Sequence, residues 1–136
     1  MITFTIPGDA LAQPRHEVAV RGRHAVAFIR SDKPIHAYKA TVKILASQAM
    51  AGKPPIDGPI SVAIDFQFSR PKSHSKKRRE DFRHSQKPDI DNLIKAVFDA
   101  LNEICFQDDS QIWELKVSKR WTEGQGKTIV CVEALR

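Results

Sequence analysis

Apolar and polar residues alternate along three stretches of the chain with the two-residue period of a half-buried strand. The first is Ile2-Thr3-Phe4-Thr5-Ile6, which ends at Pro7-Gly8. The second follows an Asp57-Gly58-Pro59 turn: Ile60, Val62, Ile64, Phe66 and Phe68 alternate with Ser61, Ala63, Asp65 and Gln67. The third lies within 111–121, where Trp113, Leu115 and Val117 alternate with Glu114, Lys116 and Ser118. A Gly124-Gln125-Gly126 turn follows, and 128–135 reads as an antiparallel partner strand. Two stretches have helical spacing instead. Tyr38, Val42, Leu45 and Ala49 predict a helix over 37–51 that stops before Gly52 and Pro54-Pro55. Leu93, Val97, Ala100 or Leu101, and Ile104 form the buried stripe of a second helix. Pro88 disfavours helical backbone at Lys87, Asp89 or Asp91 can cap the start, and Asn102 can close the end in the left-handed conformation. Residues 9–34 are mixed and predict a mobile hairpin around Gly22. With no repeat and no interdomain linker, the pattern predicts one small α+β domain over 1–136, a mixed sheet packed by helices.

Composition narrows the class. Of 136 residues, 41% are hydrophobic and 28% charged, ordinary for a globular domain with one core. No apolar run is long enough to span a bilayer, and Met1-Ile2-Thr3-Phe4-Thr5-Ile6 lacks the basic flank of a signal peptide, so a cytoplasmic location without a membrane partner is expected. Cys105 and Cys131 sit in apolar surroundings without metal-ligand spacing and read as reduced, structural thiols. The histidines at 16, 24, 36, 74 and 84 form no zinc pattern, and His74 and His84 are expected to face solvent or phosphate. No Gly-x-x-x-x-Gly-Lys loop is present, so no nucleotide cofactor is expected.

Charge placement changes the picture more than charge size. Residues 69–88 read SRPKSHSKKRREDFRHSQKP. Their eight Lys/Arg against two Asp/Glu leave a surplus of six, which equals the net charge of +6 for the whole chain. A local surplus fits a polyanion better than general solubility, although a basic run can also be a solvated loop. Beside it stand Asp89 and Asp91, then Asp108-Asp109 beyond the helix. Clustered carboxylates repel unless a cation lies among them, and all-oxygen ligands favour Mg²⁺ or Mn²⁺. Lys95, four residues after Asp91, shares its helix face and could neutralise charge growing on a phosphate. An intrahelical ion pair of Lys95 with Asp91 or Asp99 is the alternative, as capping is for Asp89 and a simple turn is for Asp108-Asp109. Asp109 can meet Asp89 only if the 111–121 strand brings it back beside the helix start.

The run from Lys87-Pro88-Asp89-Ile90-Asp91-Asn92 through Asn102, followed by Asp108-Asp109-Ser110-Gln111-Ile112, closely resembles the RusA family of Holliday junction resolvases. Phe66-Gln67-Phe68-Ser69-Arg70-Pro71-Lys72-Ser73-His74 looks like that family's strand and basic loop, and Phe4-Thr5-Ile6-Pro7-Gly8 with Gln13-Pro14-Arg15 looks like its N-terminus. The resemblance implies a RusA-like fold and a phage- or prophage-associated, Mg²⁺-dependent endodeoxyribonuclease that resolves four-way junctions by paired nicks as a homodimer. It implies Asp89, Asp91 and Asp109 as metal-binding carboxylates and Lys95 as the catalytic lysine. Arg15, Arg70, Lys72, Lys76, Lys77, Arg78, Arg79, Arg83 and Lys87 are expected to contact the DNA backbone. A branched-DNA-binding protein without activity is the alternative. Relatives commonly carry a Gly after the helix where this chain reads Glu103-Ile104-Cys105-Phe106-Gln107, and Glu17 adds an acidic residue near Arg15.

Overall fold

The computed structural model describes residues 1–14, 17–21, 24–28 and 34–135; Arg15, one of the expected DNA contacts, lies outside them. The elements run β1 (Ile2–Pro7), β2 (Glu17–Arg21), β3 (His24–Phe28), α1 (Pro34–Met50), β4 (Ile60–Ser69), α2 (Ile90–Leu101), β5 (Ile112–Thr122) and β6 (Lys127–Ala134). Short 3-10 turns fall at Arg78–Glu80 and Asp109–Gln111. β2 and β3 form the expected hairpin, with Arg21 opposite His24. The other strands make one mixed sheet in the order β1-β6-β4-β5. Together with the helices this is the α+β domain that the pattern predicts.

β4 carries the core because its alternation is complete. Ile60, Val62, Ile64, Phe66 and Phe68 are all buried, while Ser61, Ala63, Asp65 and Gln67 are not. Phe4 and Ile6 of β1 and Val130 and Val132 of β6 join that apolar layer. Val42, Ala46 and Met50 of α1 and Leu93, Val97, Ala100 and Leu101 of α2 close over it. Both thiols are free, and burial pushes that of Cys105 up to about 11. Among the described residues no helix is long and apolar enough to cross a membrane.

Three local expectations are corrected. The strand at 128–135 does not partner the 111–121 strand. β6 pairs antiparallel with β4 and β1, and β4 lies between β6 and β5, to which it runs parallel. As a central strand β4 has both backbone edges paired, by β5 and β6, while its apolar face packs under the helices. α2 does not end through a left-handed Asn102, whose φ is −57°; Glu103 takes that conformation at φ 69°. Trp113 and Leu115 are not core residues either. They are 63% and 39% exposed, because β5 is the sheet's edge and its pairing with β4 slips at Ile60/Ser61.

Candidate active site

Lys119 fixes the loop that precedes α2. The period of β5 places Lys119 on the same side as Leu115 and Val117, and its ammonium donates to the carbonyls of Gln86 at 2.6 Å and Pro88 at 2.7 Å. Burial lowers its pKa, and Asp89 partly opposes that. Asp89 occupies the N-cap position with extended backbone (φ −71°, ψ 140°), and its carbonyl accepts from Leu93 N at 3.1 Å. Its carboxylate makes no capping hydrogen bond. Asp91 lies in the first helical turn, and both carboxylates are exposed. A helix N-terminus carries unsatisfied N–H groups and partial positive charge, so it favours acids or phosphate oxygens there. The segment after β1 lies against the same turn, with Gln13 N donating to Asn92 O at 2.9 Å. Ala12, Lys87, Pro88, Asp89 and Asn92 line a cleft of about 410 Å³.

Lys95 follows one turn later and is exposed. Its alternative partner Asp99 is engaged elsewhere, accepting from Lys39 Nζ at 3.1 Å. Asp108 and Asp109 separate in role. Asp108 caps the 3-10 turn: its carboxylate accepts from Ser110 N at 3.0 Å, which lowers its pKa. Gln111 completes the capping box by accepting from Asp108 N at 3.1 Å and ties the turn to the carbonyls of Ile56 and Gly58. Asp109 is exposed beside this braced turn.

The structure brings Asp89, Asp91 and Lys95 together and leaves Asp109 apart from them. β5 does run beside α2, but in the opposite direction. Lys119 near its end holds Pro88 at the helix start, whereas Gln107 and Gln111 lie by the Asn102–Phe106 bridge at the helix end. α2 has 12 residues, about 18 Å of helix; Asp89 and Asp91 stand at its start, and Asp109 follows beyond its end. Among the described residues no three His, Cys, Asp or Glu side chains are placed to hold one metal ion. One chain therefore offers a pair of hard oxygen donors at Asp89 and Asp91, chemically suited to a divalent cation but short of the third carboxylate.

The basic tract divides into struts and solvent-facing cations. Arg70 is an expected DNA contact that the structure turns inward: its side chain is 3% exposed and its guanidinium donates to the carbonyls of Arg78 (3.2 Å) and Asp81 (2.8 Å). Arg79 likewise binds the carbonyls of His74 and Pro71 and both carboxylate oxygens of Glu123, the latter at 2.9 Å. These arginines brace the loop by bonding its backbone carbonyls. Arg83 is exposed but pairs with Asp81 at 2.9 Å, which pulls the Asp81 carboxyl down to about 2. Lys72, Lys76, Lys77, Arg78 and Lys87 point to solvent.

His74 and His84 are the other correction. They are only 8% and 6% exposed and pack against Trp121, at ring-centroid distances of 5.0 and 4.0 Å, with Phe68 4.6 Å from His84. Burial lowers both pKa values first; Arg78, Arg70 and Arg79 add to this at His74, and Lys119 at His84. This cluster and the Lys119 anchor escaped the sequence reading. The signal for Lys119 was present, since its alternation with Leu115 and Val117 assigns it to the covered side of the sheet.

The candidate site thus combines a carboxylate pair at a helix start, a nearby lysine and a braced cationic loop. The family model of Endodeoxyribonuclease RusA matches residues 7–133. The chain is also 36% identical over 129 residues to "Uncharacterized protein YqaN" of Bacillus subtilis (strain 168), covering 90% of this chain and 89% of that one. The chain belongs to the RusA endodeoxyribonuclease family, a family of nucleases.

Proposed function

We propose that the protein is a divalent-metal-dependent Holliday junction resolvase of phage or prophage origin, acting as a two-fold dimer whose sites are each completed by both subunits. The observation that carries this reading is the separation of Asp109 from Asp89 and Asp91 together with an open strand edge between them. The outer edge of β5 is occupied at its far end, where Trp121 N donates to Phe82 O and His84 N to Lys119 O. Among the described residues no strand covers 112–118. Strand alternation turns the backbone groups of Leu115 and Val117 to the same open side as those of Lys119 and Trp121.

The uncovered stretch is centred on Leu115. Antiparallel pairing through a dyad at Leu115 sets Glu114 opposite Lys116 of the partner subunit and Trp113 opposite Val117 of the partner subunit. Opposite charges then meet on one face, and the exposed Trp113 and Leu115 are covered on the other. The same pairing runs the start of the partner's β5 toward Lys119. Asp109 of the partner subunit thereby arrives beside the loop that carries Asp89. The dyad supplies two sites, as paired symmetric nicks require.

Asp89, Asp91 and the partner's Asp109 would hold Mg²⁺, with Mn²⁺ as substitute. When bound, the ion supplies charge neutralisation at the phosphate and activation of the attacking water. Lys95 sits where its ammonium can stabilise negative charge growing on the phosphoryl oxygens. Lys119 holds the Pro88 carbonyl and so positions Asp89. Lys72, Lys76, Lys77, Arg78 and Lys87 would bind the DNA backbone without reading sequence. The test is cleavage of a labelled four-way junction beside a linear duplex of the same sequence, in Mg²⁺ or EDTA. Paired nicks in the junction alone, abolished by EDTA, support the reading; junction binding without cutting in either Mg²⁺ or Mn²⁺ contradicts it.

A further inference from the structure

Phe82 stands apart within the basic tract. It is the only Phe, Tyr or Trp in 69–88 and is 58% exposed. A single exposed apolar side chain is common and by itself means little. Three observations set this one apart. Its backbone is fixed: Trp121 N donates to Phe82 O at 2.7 Å and His84 N to Lys119 O at 3.2 Å, around a bridge between Arg83 and Arg120. The ring is therefore presented from a rigid, strand-like segment. Next, the Arg120 guanidinium lies 5.6 Å from the ring centroid and is itself held by Asp65 at 2.9 Å. Last, Lys77 and Arg83 line the same hollow as Phe82, of about 450 Å³, together with Glu80 and Asp81. Asp81 is paired with Arg83.

Phe82 and the candidate active site share one support. Phe82 is anchored to Trp121, and Pro88, next to Asp89, is anchored to Lys119. Those anchor points are two residues apart on β5, about 7 Å along the strand. A fixed aromatic face among cations matches the face of a nucleobase with its phosphates alongside. Bases in an intact duplex keep their faces stacked on each other, whereas a base at a branch point can expose one.

We infer that Phe82 is a stacking platform for the exposed face of an unstacked base at the branch point, which holds the branch at a set distance from Asp89 and Asp91 and so selects branched over linear DNA. The inference rests on the nuclease reading above and adds to it a residue that recognises DNA structure. It is tested in an Asp91→Asn background, which halts cutting, with four-way junctions carrying 2-aminopurine at the branch and with matched linear duplex. Phe82→Ala and Phe82→Leu should weaken junction binding about ten-fold or more while duplex binding stays within about two-fold. Phe82→Trp should keep junction affinity. The 2-aminopurine signal should change on binding when Phe82 is present and stay flat with Phe82→Leu. Unaltered junction affinity in the Ala and Leu variants overturns the inference, as does an equal loss on junction and duplex. The two readings fail separately. A wild-type protein that cuts no junction removes the nuclease reading, whereas a wild type that cuts beside a Phe82→Leu variant with undiminished junction preference removes only the stacking platform.

Discussion

At the scale of single residues, adjacent acids in this chain have different work. Asp108 is engaged by Ser110 N and closes a capping box, whereas Asp89 forgoes the capping bond that its position offers. Asp91→Asn should abolish cleavage with junction binding and melting temperature preserved, because the side chain is exposed. Asp108→Ala should instead cost about 1 kcal/mol of stability by loss of the cap, read from denaturant unfolding. The buried histidines set a pH dependence. His74 and His84 have folded pKa values below the unfolded value, so the unfolded chain binds more protons as pH falls. Stability should be complete above about pH 6.5 and decline as pH drops below it. Thermal melts across pH 5–8 check this, and His84→Phe should flatten the profile.

At the scale of elements, what was legible followed from side-chain period, and what was not depended on long-range pairing. β4 shows its alternation in full because one face is wholly covered. α2 could be placed from Leu93, Val97 and Leu101, all of which are buried. The carboxylate pair at its start was readable because Pro88 and the helix stripe locate it. The position of β6 was not readable, since a short turn after β5 normally joins neighbouring strands and here spans β4. Nor could charge alone divide the 69–88 tract, because a strut arginine and a solvent-facing one look identical until their carbonyl partners are known. That division makes a prediction. Arg70→Ala should destabilise the loop by about 1 to 2 kcal/mol through the lost hydrogen bonds to Arg78 and Asp81. Lys76→Ala should leave melting unchanged and lower the salt dependence of DNA binding by about one counterion. Denaturation and salt titration of the two variants separate these effects.

At the scale of the whole molecule, one chain carries its candidate site residues at opposite ends of α2. Asp89, Asp91 and Lys95 lie at one end and Asp109 at the other, with an open edge strand running between. The proposed antiparallel dyad on that edge would convert the separation within a chain into proximity between chains. It would also account for the exposure, in a single chain, of Trp113 and of Leu115, the latter in register with the core residue Val62. Leu115→Arg would place like charges against each other on the axis and should yield monomers without nuclease activity, as sedimentation and junction cleavage would report.

The most direct test of the shared site is subunit complementation. Asp91→Asn and Asp109→Asn proteins, each inactive alone, are mixed under conditions that allow subunit exchange and assayed on a labelled four-way junction. If each site draws Asp109 from the partner, the mixed dimer holds one site with both defects and one intact site, and the mixture should nick one strand of the junction. If every chain builds its site alone, each site in the mixed dimer carries a defect, and a mixture as inactive as its components would contradict the account.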